Sequence, residues 1–173
     1  MAGYLFDTDA LSFVLNGRLN RYPQYRLFLQ QLPRAAQYTC APVVGELHAG
    51  ARRTADPTAL LQRIGTLLAR LNVVPFDRKA AEIYGRLRAT LETSGQRVAD
   101  MDLHIAACAL THELILVTGN ERHFARMPDV HLWVIHADRI EEVISAYRAA
   151  APTAAALPIA GKRARKKSRS TPD

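Results

Sequence analysis

A chain of 173 residues is long enough for one ordinary domain with some length to spare. Hydrophobic residues make up 49% of it, which supports a full core and excludes a wholly disordered protein. The net charge of +7 is uneven: residues 151–173 carry Lys162, Arg163, Arg165, Lys166, Lys167 and Arg169 against Asp173, so +5 sits there and only +2 on residues 1–150.

In chain order, "GYLF" (3–6) opens as a continuously apolar strand, the pattern of a strand covered on both faces. "QYTC" (37–40) is a second strand, followed by a helix in "APVVGELHAG" with Pro42 in its first turn, where a missing N–H costs nothing. "DPTALLQRIGTLLARL" places Leu60, Leu61, Ile64, Leu67, Leu68 and Leu71 at helical spacing. "NVVPF" (72–76) reads as a strand, and "DRKAAEIYGRLRATLETSG" as a helix stopped at Gly95. "DMDLHIAACALTHE" gives a buried, Ala-rich helix and "LILVT" (114–118) a further strand. "DRIEEVISAYRAA" has Ile140, Val143, Ile144 and Tyr147 on one helical face, so residues 137–150 are expected to form a C-terminal amphipathic helix. Residues 151–173, rich in Ala, Pro, Ser and basic groups, are expected to be a disordered basic tail. Strands alternating with helices imply helices layered on a mostly parallel sheet.

Cys40 and Cys108 lie in apolar stretches, the setting of small core residues in a reducing compartment. The N-terminus lacks the basic and apolar regions of a signal peptide, and no run reaches the roughly 18 apolar residues of a spanning helix. The expectation is a soluble cytoplasmic protein.

Parallel sheets bind ligands outside the carboxyl ends of their strands. Asp7 stands at such an end. Asp9 follows where a helix begins and is read as a cap or first-turn acid, whereas Asp7 is not. Glu46 lies three residues from Val43, on the edge of its helix's inner face; alone it would pass for a surface glutamate. Asp100 suits the start of the next buried helix, and Asp102 leads the apolar stripe Ile105–Ala106–Ala109, so it is expected to point inward. Thr118 and Asn120 follow the last strand. Carboxylates meeting in one cleft raise each other's pKa, and a divalent cation relieves this. Mg²⁺ takes a few carboxylates plus waters, and no set of His or Cys at zinc spacing competes. Phosphodiester hydrolysis is the natural chemistry of an open acidic Mg²⁺ site.

Four stretches then resemble the PIN-domain ribonucleases, specifically the VapC toxins of bacterial toxin–antitoxin modules, over residues 3–134. "LFDTDALSFVL" resembles the opening strand with D-T-N/D-x-L-S, and "APVVGELHAGARR" the helix S-x-V-x-x-x-E-L-x-x-G-A. "GQRVADMDLHIAACAL" resembles G-x-P-I-x-x-x-D-x-x-I-A-A-x-A-L, and "LILVTGNERHFARMPDVHLW" resembles L-x-L-V-T-x-N-x-x-x-F-x-R-x-P-G-L-x-x-x-W. The resemblance implies a PIN-like three-layer α/β/α sandwich over residues 1–136. It implies a Mg²⁺-dependent endoribonuclease, with Mn²⁺ as a possible substitute. The family's acidic site falls on Asp7, Glu46 and Asp102. Asp7 and Asp102 would be the direct ligands, and Glu46 would assist the metal or orient water, with Asp9, Thr118 and Asn120 in support. Asn120 replaces an aspartate that some members carry, leaving a second metal open. Arg97 stands where the motif has proline, and Asp129 where it has glycine. The implied partners are RNA, a VapB-like antitoxin and a second copy of the chain. The six basic residues of the tail would attract RNA phosphates.

Two other readings compete. "FDTDAL" superficially resembles the D-x-D-G-T of haloacid-dehalogenase phosphatases, with Asp7 as nucleophile and Asp9 as acid. Those enzymes also need a lysine at a later strand end, and Lys79 is the only lysine before the tail. The other reading is a PIN-like module that binds RNA or protein without cleaving.

Overall fold

The computed structural model describes residues 2–144. Six strands form one sheet: β1 (Tyr4–Phe6), β2 (Gln37–Cys40), β3 (Asn72–Val74), β4 (Ile115–Thr118), β5 (His131–Ile135) and β6 (Ile140–Ile144). Their order across the sheet is β3-β2-β1-β4-β5-β6. The first five run parallel, and β6 pairs antiparallel with β5. The helices are α1 (Thr8–Leu15), α2 (Pro23–Gln31), α3 (Ala41–Ala51), α4 (Pro57–Leu68), α5 (Arg78–Thr93), α6 (Asp100–Thr111) and the single turn α7 (Glu121–Phe124).

The chain steps from β1 to β2 to β3, then returns to place β4 on the other side of β1. Crossovers of one hand therefore put the two helical sets on opposite faces of the sheet. They also leave a crevice where the direction reverses, between the carboxyl ends of β1 and β4. Leu5, Phe6, Leu116 and Val117 are fully buried at this centre, which accounts for their continuously apolar sequence. At the edge, Val73 of β3 is exposed and Val74 buried. Tyr4, Phe28 and Trp133 pack edge-on or tilted at 4.9–5.1 Å, filling the space beside β1. Cys40 and Cys108 are free thiols in the core, as their surroundings suggest.

Two expectations need correction. The helix expected over residues 137–150 is not formed at 140–144, which are strand β6; residues 145–150 lie outside the described residues, as does the tail 151–173. Ile140, Val143 and Ile144 satisfy helical spacing, but they are also β-branched, and the free edge of β5 is next to them. The His136 N–H donates to the Arg139 carbonyl at 2.9 Å, closing a link too short for a parallel crossover, so an antiparallel hairpin results. His131 and Glu142 pair across it at 2.5 Å, and Arg139 holds Glu141 at 3.1 Å. The domain end expected at residue 136 thus falls inside this hairpin. β5 itself was not among the strands expected from the sequence.

Candidate active site

Asp7 follows β1 directly and is 3% exposed. Its backbone N–H donates to the Val117 carbonyl at 3.1 Å, which extends the β1–β4 ladder to the aspartate and aims it into the crevice. One carboxylate oxygen accepts from the Ala10 N–H at 2.7 Å, and the other from the Thr118 hydroxyl at 2.5 Å. Asp7 is therefore the N-cap of α1, a role the sequence reading withheld from it, while Asp9, read as a cap or first-turn acid, is the latter. The helix starts at Thr8, so the acceptor three residues before Ala10 is Asp7. Asp9 is an exposed acid of the first turn, favourable toward the helix dipole.

Thr118 is itself held in place. Its Oγ1 accepts from the Asn120 N–H at 2.8 Å, so a relay runs from Asn120 through Thr118 to Asp7. Gly119 lies between them against α1. A Cβ there would come within 2.8 Å of the Phe13 ring, so glycine lets the β4 end approach α1 without displacing that ring.

Glu46 is half-buried on α3 and accepts a hydrogen bond from the Thr8 hydroxyl. This ties it to the β1–α1 junction rather than leaving it loose on the surface. Asp102, in the first turn of α6, leaves 17% of its side chain exposed, and its Oδ2 lies 2.9 Å from His123 Nδ1 on α7. Asp100 turns away to Arg88 at 2.7 Å, as the start of α6.

Burial and neighbouring acids act on two of these carboxylates. Burial pushes the Asp7 carboxyl up to about 7, opposed by its Ala10 and Thr118 hydrogen bonds and reinforced by Asp9 and Asp102. Burial also raises Asp102, against the pull of His123, and Asp9 adds to the rise. Asp9 thus acts on both Asp7 and Asp102, and Asp102 on Asp7. Glu46 joins them through Thr8, and Asn120 through its backbone. Lys162, Arg163, Arg165, Lys166, Lys167 and Arg169 lie outside the described residues.

The donor set suits a hard divalent cation. All the oxygens are carboxylate or hydroxyl, and the two bonds Asp7 accepts leave about half of its roughly four lone-pair sites free. Among the described residues no three Asp, Glu, His or Cys groups are gathered so as to hold an ion. Mg²⁺ commonly uses one or two carboxylates and retains waters, so an open set of this kind is compatible with it.

Thr8 and His123 are contacts that sequence reading did not single out. Thr8 was visible in the D-T-D run after the first strand. His123 had no signal, because its partner is 21 positions away on another helix. Lys79 is exposed on α5 rather than standing at a strand end, where a dehalogenase-type phosphatase requires its lysine.

A family model described as "PIN domain" matches residues 4–130. The chain is 30% identical over 132 residues to ribonuclease VapC2 of Haemophilus influenzae, covering 73% of this chain and 93% of that protein. It is 27% identical over 132 residues to the tRNA(fMet)-specific endonuclease VapC of Salmonella typhimurium, covering 76% and 97%. Among solved structures it resembles a chain of VapBC2 from Rickettsia felis, bound there to a promoter DNA fragment. That similarity has a TM-score of 0.71 and 26% identity, over 77% of this chain and 98% of that one. No helix among the described residues is long and apolar enough to cross a membrane. The chain belongs to the PIN-domain family, in its VapC branch.

Proposed function

We propose that this protein is a divalent-cation-dependent endoribonuclease that hydrolyses RNA phosphodiester bonds, and that it is the toxin of a VapBC-type module acting in the cytoplasm. The observation that carries this reading is Asp7. An aspartate almost wholly buried at the sheet's switch point, pushed up to about 7 by burial and by two further acids, is costly for folding alone. Such perturbation in a crevice is characteristic of functional groups.

In this reading Asp7 and Asp102 hold Mg²⁺, for which Mn²⁺ can substitute. Bound there, the cation supplies Lewis-acid polarisation of a phosphoryl oxygen and a water of lowered pKa. Thr118 and the Ala10 N–H keep the Asp7 carboxylate in one orientation. Thr8 does the same for Glu46, which orients the attacking water or assists the cation. Asp9 and Asn120 border the site in support. The protein works as a homodimer and is silenced by a VapB-like antitoxin; its likeness to a chain of VapBC2 from Rickettsia felis supports the second of these. RNA is the substrate class named for both curated relatives, and initiator tRNA is a suitable first probe because one of them is specific for it.

Purified protein should cleave RNA with Mg²⁺ and not with EDTA, and Asp7→Asn should reduce the rate by more than about 100-fold. Replacing even outer-shell partners of a metal typically costs 10–100-fold, and Asp7 is proposed as a direct ligand. Cleavage that survives EDTA, or Asp7→Asn with wild-type activity, would reject the reading. The six basic residues of the tail (Lys162 to Arg169) are proposed to add attraction to RNA phosphates. A chain ending at residue 150 should then bind RNA with a shallower salt dependence and cut at the same sites. An unchanged slope would deny the tail that role.

A further inference from the structure

Beside Asp102 lies a second feature that the acidic site does not use. The segment before α6 and the turn α7 enclose an open cleft of about 220 Å³, lined by Arg97, Val98, Asp102, Arg122, His123 and Arg126. Three guanidinium groups from two separate segments thus converge on one small hollow. All three arginines are exposed, and none makes an ion pair or side-chain hydrogen bond among the described residues. By contrast, Arg88 and Arg139 are neutralised: Arg88 binds Glu92 and Asp100, and Arg139 binds Glu141. With only +2 on residues 1–150, three unpaired cations in one place form a distinct local charge. The one carboxylate in the lining, Asp102, is occupied by His123 at 2.9 Å.

The cleft is smaller than the roughly 300–1,000 Å³ of a pocket that engulfs a free small molecule. It suits a single anionic group on a chain that passes through. Guanidinium forks match phosphate oxygens in pairs, which makes arginine the side chain for that task. Asp102 forms one wall and is also a proposed cation ligand, so a phosphate held by the arginines would lie next to the scissile one.

We propose that Arg97, Arg122 and Arg126 form the subsite for an RNA phosphate flanking the cleaved bond, and that they position the substrate strand against Asp102. This rests on the ribonuclease reading and adds the direction in which the strand leaves the acidic site. Arg97 stands where the family motif has proline, so this chain's subsite carries a cation the motif does not supply.

The test uses full-length protein, a fluorescent single-stranded oligoribonucleotide, and anisotropy in EDTA between 50 and 200 mM salt. Cleavage kinetics with Mg²⁺ run in parallel. The wild type is compared with R97A/R122A/R126A and with the corresponding triple lysine variant. Each single-strand phosphate contact contributes about 0.7 to the salt slope, so the alanine variant should lose about 2. Over that salt range its affinity should fall roughly 15–20-fold less than the wild type's. KM should rise while kcat is largely kept. The lysine variant should retain the slope and bind less tightly, because it keeps the charge without the fork. If the triple alanine variant melts early, each single substitution should still lower the slope by about 0.7. An alanine variant that cleaves with wild-type affinity and slope overturns the subsite and leaves the ribonuclease reading intact. The subsite is equally overturned if that variant loses only its protein inhibitor, since the cleft would then be a protein-docking surface. A wild type that neither binds nor cleaves RNA removes the ribonuclease reading, and the subsite with it.

Discussion

The two aspartates proposed as cation ligands face one crevice from opposite sides and are held in opposite ways. On the β1–β4 side, Asp7 is 3% exposed, caps α1, and has both oxygens fixed by the Ala10 N–H and the Thr118 hydroxyl. On the α6–α7 side, Asp102 is partly exposed, is paired with a histidine from a four-residue turn, and borders a basic cleft. The buried side is a rigid reference built into the sheet. The open side is where a long substrate can approach. Asp7 therefore carries a structural duty as well as a chemical one, whereas Asp102 has no helix cap to maintain.

The largest effect that would sharpen this contrast comes from Glu46, which the Thr8 hydroxyl anchors to the buried side. Glu46→Gln removes the charge and keeps the shape, so turnover should fall by about 10²–10⁴-fold, the usual cost of losing a positioned base. Circular dichroism should be unchanged. A loss of less than about tenfold, equivalent to about 1.4 kcal/mol of barrier, would return Glu46 to an ordinary surface role.

A smaller effect separates the two sides by pH. The Asp7 carboxyl ordinarily titrates near 3.8 and is raised to about 7 in the fold. Between those values the folded state binds the extra proton, so Asp7 favours folding at low pH and this contribution is lost as pH rises through about 7. Without divalent cations, the wild type should lose melting temperature between pH 5 and pH 8, by at most about 2.6 kcal/mol in stability. Asp7→Asn keeps an effective N-cap and removes the titration, so its melting temperature should vary less with pH and exceed the wild type's at pH 8. Identical pH profiles for the two proteins would mean that Asp7 does not carry this strain.

Most of the sheet was legible because its central strands are apolar on both faces, a pattern helices of this length do not share. β6 was not, because Ile140, Val143 and Ile144 satisfy a helical and an extended pattern alike, and the free edge of β5 decided between them. The positions of Asp7 and Asp102 followed from where strands end and helices start. The capping duty of Asp7 was missed because strand end and helix N-cap are the same residue here, with no loop between them. The His123 contact and the arginine cleft were invisible for a different reason. Each joins the segment at residues 97–102 to the one at 122–126, and only the packing of α6 against α7 brings the two together.

In the proposed site Asp7 and Asp102, despite their different settings, hold one divalent cation between them. Isothermal calorimetry of Mn²⁺ and Mg²⁺ into the full-length protein measures this without RNA and without turnover. Binding should be saturable and should weaken sharply in both Asp7→Asn and Asp102→Asn, with melting temperatures showing that each variant remains folded. Wild-type affinity in Asp102→Asn would remove that residue from the ligand set and contradict the claim.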